Sequence, residues 1–159
     1  MDFEHRLKKA IERGQHRKEL KGQVAAQKEL SEEELRQLHS SIRLELTEKI
    51  EQGLRQLSEH FPGFRYQTVV GEDGWGARIS RDDFAIEDGK KTNVYSRLEL
   101  LVRPFSDTHI VALVAKGTIR NREIISRDHF QFLDKADVES YKELIELWIL
   151  EYAEKYSAE

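Results

Sequence analysis

Between Leu35 and Phe61 the chain places an apolar side chain every three or four residues: Leu35, Leu38, Ile42, Leu46, Ile50, Leu54, Leu57 and Phe61. Only an α-helix brings that spacing onto one face. Ser31 with Glu34 three residues on forms a capping-box pattern, which predicts a helix start there, and Phe61-Pro62-Gly63 predicts its end. A helix over residues 32–60 spans about 43 Å at roughly 1.5 Å per residue, whereas a globule of the remaining chain is only about 33 Å across. Part of the stripe is therefore expected to overhang and to need cover, from residues 1–29 folded back as a helical hairpin, from a second subunit, or from both. Residues 1–29 carry a weaker stripe, Phe3, Leu7 and Ile11, lapsing through Gly14 to Lys18 and resuming at Leu20 and Val24, and they hold more bases than acids. They read as a basic helical arm that gains order through contact.

After Phe64 the period changes from 3.6 to 2. Alternation and turn residues predict strands near 64–70, 75–81, 84–87, 92–103, 109–120 and 123–132, punctuated by Gly71-Glu72-Asp73-Gly74, Asp88-Gly89, Pro104 to Thr108 and Asn121-Arg122. Ile79 and Phe84 stand five residues apart, which predicts a bulge near Arg81-Asp82-Asp83. A final helix over 135–156, capped by Asp134, carries Val138, Tyr141, Ile145, Trp148 and Tyr152, widened by Leu144, Leu147, Ile149 and Leu150. The expected fold class is α+β, in one domain over 1–159: an antiparallel meander of about five strands flanked by the long N-terminal helix, or helical hairpin, and the C-terminal helix.

Composition narrows the functional classes. The 159 residues carry 26 bases and 30 acids, so no net charge draws the chain to nucleic acid or an anionic membrane, and nucleic acid is a minor option. No run approaches the apolar length of a membrane span, and Met1-Asp2-Phe3-Glu4 opens no targeting pattern. With zero Cys, thiolate metal sites and Cys nucleophiles are excluded, and a cytoplasmic, soluble protein is expected. The acids at Asp82, Asp83, Glu87 and Asp88 lack EF-hand spacing, and none of the six His forms a zinc-binding helix pattern, so neither a metal nor a cofactor is expected.

Strand alternation assigns Val94, Leu98, Leu100, Val102, Ile110, Ala112, Val114, Ile124, Phe130 and Phe132 to the core face. The other face would gather Arg65, Arg78, Arg97, Glu99, Arg127 and His129, with Lys116, Thr118 and Arg120 joining only if the fourth strand shifts parity. A row of guanidinium groups can grip phosphate or carboxylate oxygens two at a time, so these are candidate anion-binding residues, although Arg-rich strand faces are also ordinary solvated surface. His129 beside Asp128 suggests acid–base chemistry, yet adjacent strand residues point to opposite faces, and no Gly-x-Ser-x-Gly elbow occurs. The expected function is therefore a non-catalytic, self-associating interaction module, a homodimer or higher oligomer, with Leu35, Leu38, Ile42, Leu46, Ile50, Tyr141, Trp148 and Tyr152 as candidate interface residues. An anion-binding module taking an anionic small molecule or acidic peptide is the alternative, and a small enzyme using His129 a third.

Overall fold

The structure is a computed structural model that describes residues 2–159, including every side chain outside 20–31. Helix α1 (Phe3–His60) leads into strands β1 (Arg65–Gly71), β2 (Gly74–Glu87), β3 (Lys90–Val102), β4 (Ile110–Ile119) and β5 (Arg122–Phe132). A single 3-10 turn (Leu133–Lys135) then precedes helix α2 (Val138–Ala158). The class is α+β, with the five strands paired antiparallel in chain order. The chain divides into two compact units, Met1–Gln37 and Leu38–Glu159.

In the first unit the backbone is helical from Phe3 onward, through the expected arm and across Ser31. The helix thus does not begin at Ser31. Ala25-Ala26-Gln27-Lys28-Glu29-Leu30 are strong helix formers without Gly or Pro, and they carry the helix past the capping pattern. The Ser31 side chain, like those of Leu20 and Val24, lies outside the described residues.

In the second unit the stripe does what its spacing demands. Ile42, Leu46, Ile50, Leu54 and Leu57 are buried, together with Ala77, Ile79, Leu98, Leu100, Val102, Leu113 and Ile125 from the sheet and Tyr141, Ile145, Trp148 and Tyr152 from α2. The C-terminal part of α1 and α2 lie side by side and parallel. Lys142 faces Glu45, Lys49 pairs with Glu146, and the Phe61 and Tyr156 rings lie 4.9 Å apart. Gly53 permits this approach, since a Cβ there would come within 2.6 Å of Ile149 Cδ1. Two buried phenols tie α2 to the sheet: Tyr141 donates to the Val111 carbonyl at 2.6 Å and Tyr152 to the Thr118 carbonyl at 2.9 Å. Burial pushes the Tyr141 hydroxyl up to about 12 and raises that of Tyr152 as well, so both stay protonated donors.

Three boundaries differ from the sequence reading. The expected bulge near Arg81 is absent: β2 pairs with β3 without interruption from Trp75–Val102 to Glu87–Lys90. Phe84 is instead an exposed residue, which need not share the face of Ile79. The one irregularity in strand pairing lies between β4 and β5, where Gly117 pairs with Ile125 and Thr118 with Glu123, leaving Ile124 as the extra residue. Helix α2 is capped by Asp137 rather than Asp134, its carboxylate accepting from the Glu139 N–H, because Leu133–Lys135 turn first to bury Leu133. Asp88 and Gly89 both have positive φ, the pattern of a type I′ turn, and the β4–β5 turn has the same pattern at Arg120 and Asn121, one residue before the expected Asn121-Arg122.

At the start of the second unit His39 is buried, its Nε2 3.2 Å from the Arg103 carbonyl oxygen and its ring edge-on to Phe105, which His109 meets in turn. Burial holds its pKa below the ordinary 6.5, nearby Arg43 adds to that, and the Arg103 carbonyl opposes it. The folded chain therefore resists a proton that the unfolded chain accepts, so stability present at neutral pH is lost as pH falls below about 6.5. Urea midpoints at pH 7.5 and 5.5 should drop more for the native chain than for His39→Gln. For the core, Leu46→Ala should cost about 2–5 kcal/mol. Leu44→Ala, at an exposed position, should stay within about 0.5 kcal/mol, both read from denaturant unfolding.

Candidate interaction surfaces

Both α2 and the C-terminal part of α1 cover one face of the sheet, and the parity of each strand decides what lies under them. Pairing of Leu100 with Ala115 and Val102 with Leu113 puts the odd-numbered residues of β4 inward, so Val111, Leu113, Ala115 and Ile119 are core. Ile110, Ala112 and Val114 face the other way, the reverse of the sequence assignment. On β5, Ile125 is core while Phe130 and Phe132 are exposed, 59% and 56%. In place of Phe130 and Phe132, the helix-facing positions of β5 are Arg127, His129 and Gln131.

These three residues dock α2 through polar contacts. Arg127 pairs with Glu151 at 2.8 Å, and the His129 ring stands edge-on to Tyr141 with centroids 5.1 Å apart. The Gln131 amide nitrogen donates to Ser140 Oγ at 2.8 Å and lies 3.0 Å from His129 Nε2, while its carbonyl oxygen accepts the Asp137 N–H at 2.7 Å. The Gln131 side chain thus joins β5 to the first turn of α2. Beside His129 stand an amide and a phenol ring, which gives no carboxylate relay for acid–base chemistry. Arg127 and His129 thus stand on the helix-facing side of β5, apart from the other anion-binding candidates.

The other four anion-binding candidates do share the open face. Strand register sets Arg65, Ser80, Arg97, Thr118 and Glu123 in one row across the sheet. Gln67, Arg78, Glu99, Lys116 and Ser126 form the next row, and Val69, Gly76, Leu101, Val114 and Asp128 the third. Lys116 and Thr118 reach this face with no parity shift in β4. Arg78 is already engaged, its Nε donating to Glu99 Oε2 at 2.7 Å and its Nη2 closing on the same oxygen. Arg97 is half-buried between Ser80 and Thr118, with no partner among the described residues, and Arg65 stands at the edge. Beyond the third row the face turns apolar at Ile110, Ala112, Phe130 and Phe132.

The candidate interface residues are placed differently from expectation as well. Ile42, Leu46, Ile50, Tyr141, Trp148 and Tyr152 lie inside the core of their own chain. Of that set, Leu35 is half-buried and Leu38 exposed. The apolar surface that is uncovered lies elsewhere. Phe3, Leu7 and Ile11 of the first unit are 74%, 46% and 52% exposed, at i, i+4 and i+8 on one helix face.

In the second unit, an outer groove of about 750 Å³ runs between α1 and α2, floored by Gly53, Leu57, Ile145, Ile149 and Ala153, with the exposed Leu150 at its edge. Among the described residues no three His, Asp or Glu side chains gather as a metal site, and no helix is long and apolar enough to cross a membrane.

A double-mutant cycle on Arg78→Ala and Glu99→Ala should show a coupling of about 1 kcal/mol in unfolding free energy, the upper range for a partly exposed pair. Replacing Gln131 with Ala should destabilise the chain by about 0.5–1.5 kcal/mol, because the Asp137 N–H and Ser140 lose their partner to water. Set against known proteins, the chain matches no family, no curated protein and no solved structure.

Proposed function

We propose that this protein is a non-catalytic interaction module that self-associates through its N-terminal helical segment. The stripe of Phe3, Leu7 and Ile11 carries this reading. A helix in water draws most of its stability from packing an amphipathic face, and here that face is left to solvent. The α1 stripe from Ile42 to Leu57, by contrast, is satisfied by the chain's own sheet, so the need for a partner moves from the middle of α1 to its beginning.

Multi-angle light scattering at tens of micromolar should give a mass well above the 18.7 kDa of one chain. The triple variant Phe3→Gln, Leu7→Gln, Ile11→Gln should shift it towards one chain without lowering the unfolding midpoint of the second unit. A native chain that stays monomeric throughout would remove the reading.

Arg97 supports a second reading, anion binding on the open face. Arg97 stands in register with Ser80 and Thr118 and has no ion pair among the described residues, and Lys116 lies diagonally across the next row. On that reading sulfate or citrate raises the thermal midpoint of the native chain, and Arg97→Ala abolishes the shift.

A further inference from the structure

We infer that the groove between α1 and α2 receives the N-terminal helical segment of a second copy of this chain, a proposal that rests on the self-association reading and names its docking site. The groove is apolar along its floor and is also lined by the Lys49–Glu146 pair, Glu59 and His60, and further carboxylates stand on the outer faces of the two helices. Glu48 and Glu59 on α1 and Glu143 and Glu154 on α2 are exposed and have no cationic partner among the described residues. Glu143 and Glu154 share the face of Leu150 by helical spacing, and Glu48 and Glu59 share that of Gln52 and Gln56, which line the groove.

The N-terminal segment is complementary in both respects. Phe3, Leu7 and Ile11 supply an apolar stripe about 12 Å long at roughly 1.5 Å per residue, and the groove follows α1 from Lys49 to Phe61, about 18 Å. Arg6 and Arg13 flank the stripe on one side, and Glu4 and Lys8 on the other, all exposed. Seated with its stripe down, the segment covers the apolar floor and brings Arg6 and Arg13 against one row of outer carboxylates, which steers encounter by charge. Two chains exchanging segments reciprocally leave no groove and no stripe uncovered, and the assembly closes as a two-fold dimer. The apolar end of the open sheet face, at Phe130 and Phe132, is the competing seat for the stripe, with Asp128 the one acid in the row beside it.

The absence of Cys makes the test direct, because introduced thiols are the only ones present. Leu7→Cys and Leu150→Cys chains, purified separately, mixed and oxidised, should form a mixed disulfide dimer far faster than Leu7→Cys mixed with Phe130→Cys. Glu143→Lys with Glu154→Lys should weaken dimerisation about ten-fold or more at low salt, and Arg6→Glu with Arg13→Glu in the same chain should restore it.

If light scattering shows a dimer but the thiols join Leu7→Cys to Phe130→Cys, the groove is overturned and self-association stands. A monomer overturns both. A chain carrying Leu7→Cys and Leu150→Cys together that closes its disulfide within one chain, and gives no intermolecular product, overturns the second-copy assignment.

Discussion

Apart from Leu101, which is buried on the opposite face, the strand side chains of the core in residues 38–159 leave water on one side of a single five-stranded sheet, under two parallel helices. That one-sidedness is the constraint on which the rest depends. A strand has only two faces, so each residue of the meander is either in the core or on a surface no helix covers, and a shift of one residue exchanges the two sets. Leu98, Leu100 and Val102 in the central strand anchor the choice, and the antiparallel register passes it outward to β1 and β5.

At β5 the choice produces an unusual result. Phenylalanines stand in water while an arginine, a histidine and a glutamine lie towards a helix. Each of the three finds a partner in α2, through a carboxylate, a ring face and a helix N-terminus, so the burial of polar atoms is compensated by hydrogen bonds and an ion pair. With Tyr141 and Tyr152 donating to strand carbonyls from the other direction, the seam between α2 and the sheet is as much polar as apolar. The open face, correspondingly, keeps its ionic rows in the middle and its aromatic rings at one end.

How much of this was legible in the sequence differs from element to element. The α1 stripe, the position of the helix end at Phe61-Pro62-Gly63, the meander and its Asp88-Gly89 turn were all readable, because each rests on local periodicity or on a backbone conformation that particular residues favour. The face of β4 was not readable: Ile110-Val111-Ala112-Leu113-Val114-Ala115 is apolar at both parities, and only pairing with β3 breaks the tie. For β5, hydrophobicity pointed the wrong way. The one signal of the true arrangement was the spacing of Arg127, His129 and Gln131 with Ile125 and Leu133 at the two ends of the same parity.

The sequence by itself determined the class of fold and the elements that compose it, since helical and extended periods are properties of a few neighbouring residues. Only the tertiary structure decided which residues are surface. Whether Arg97 faces solvent and Arg127 a helix, whether Leu46 is a core residue and Phe3 an exposed one, depends on register and on what packs above each position. Those are set by contacts between segments far apart along the chain, which no local pattern encodes.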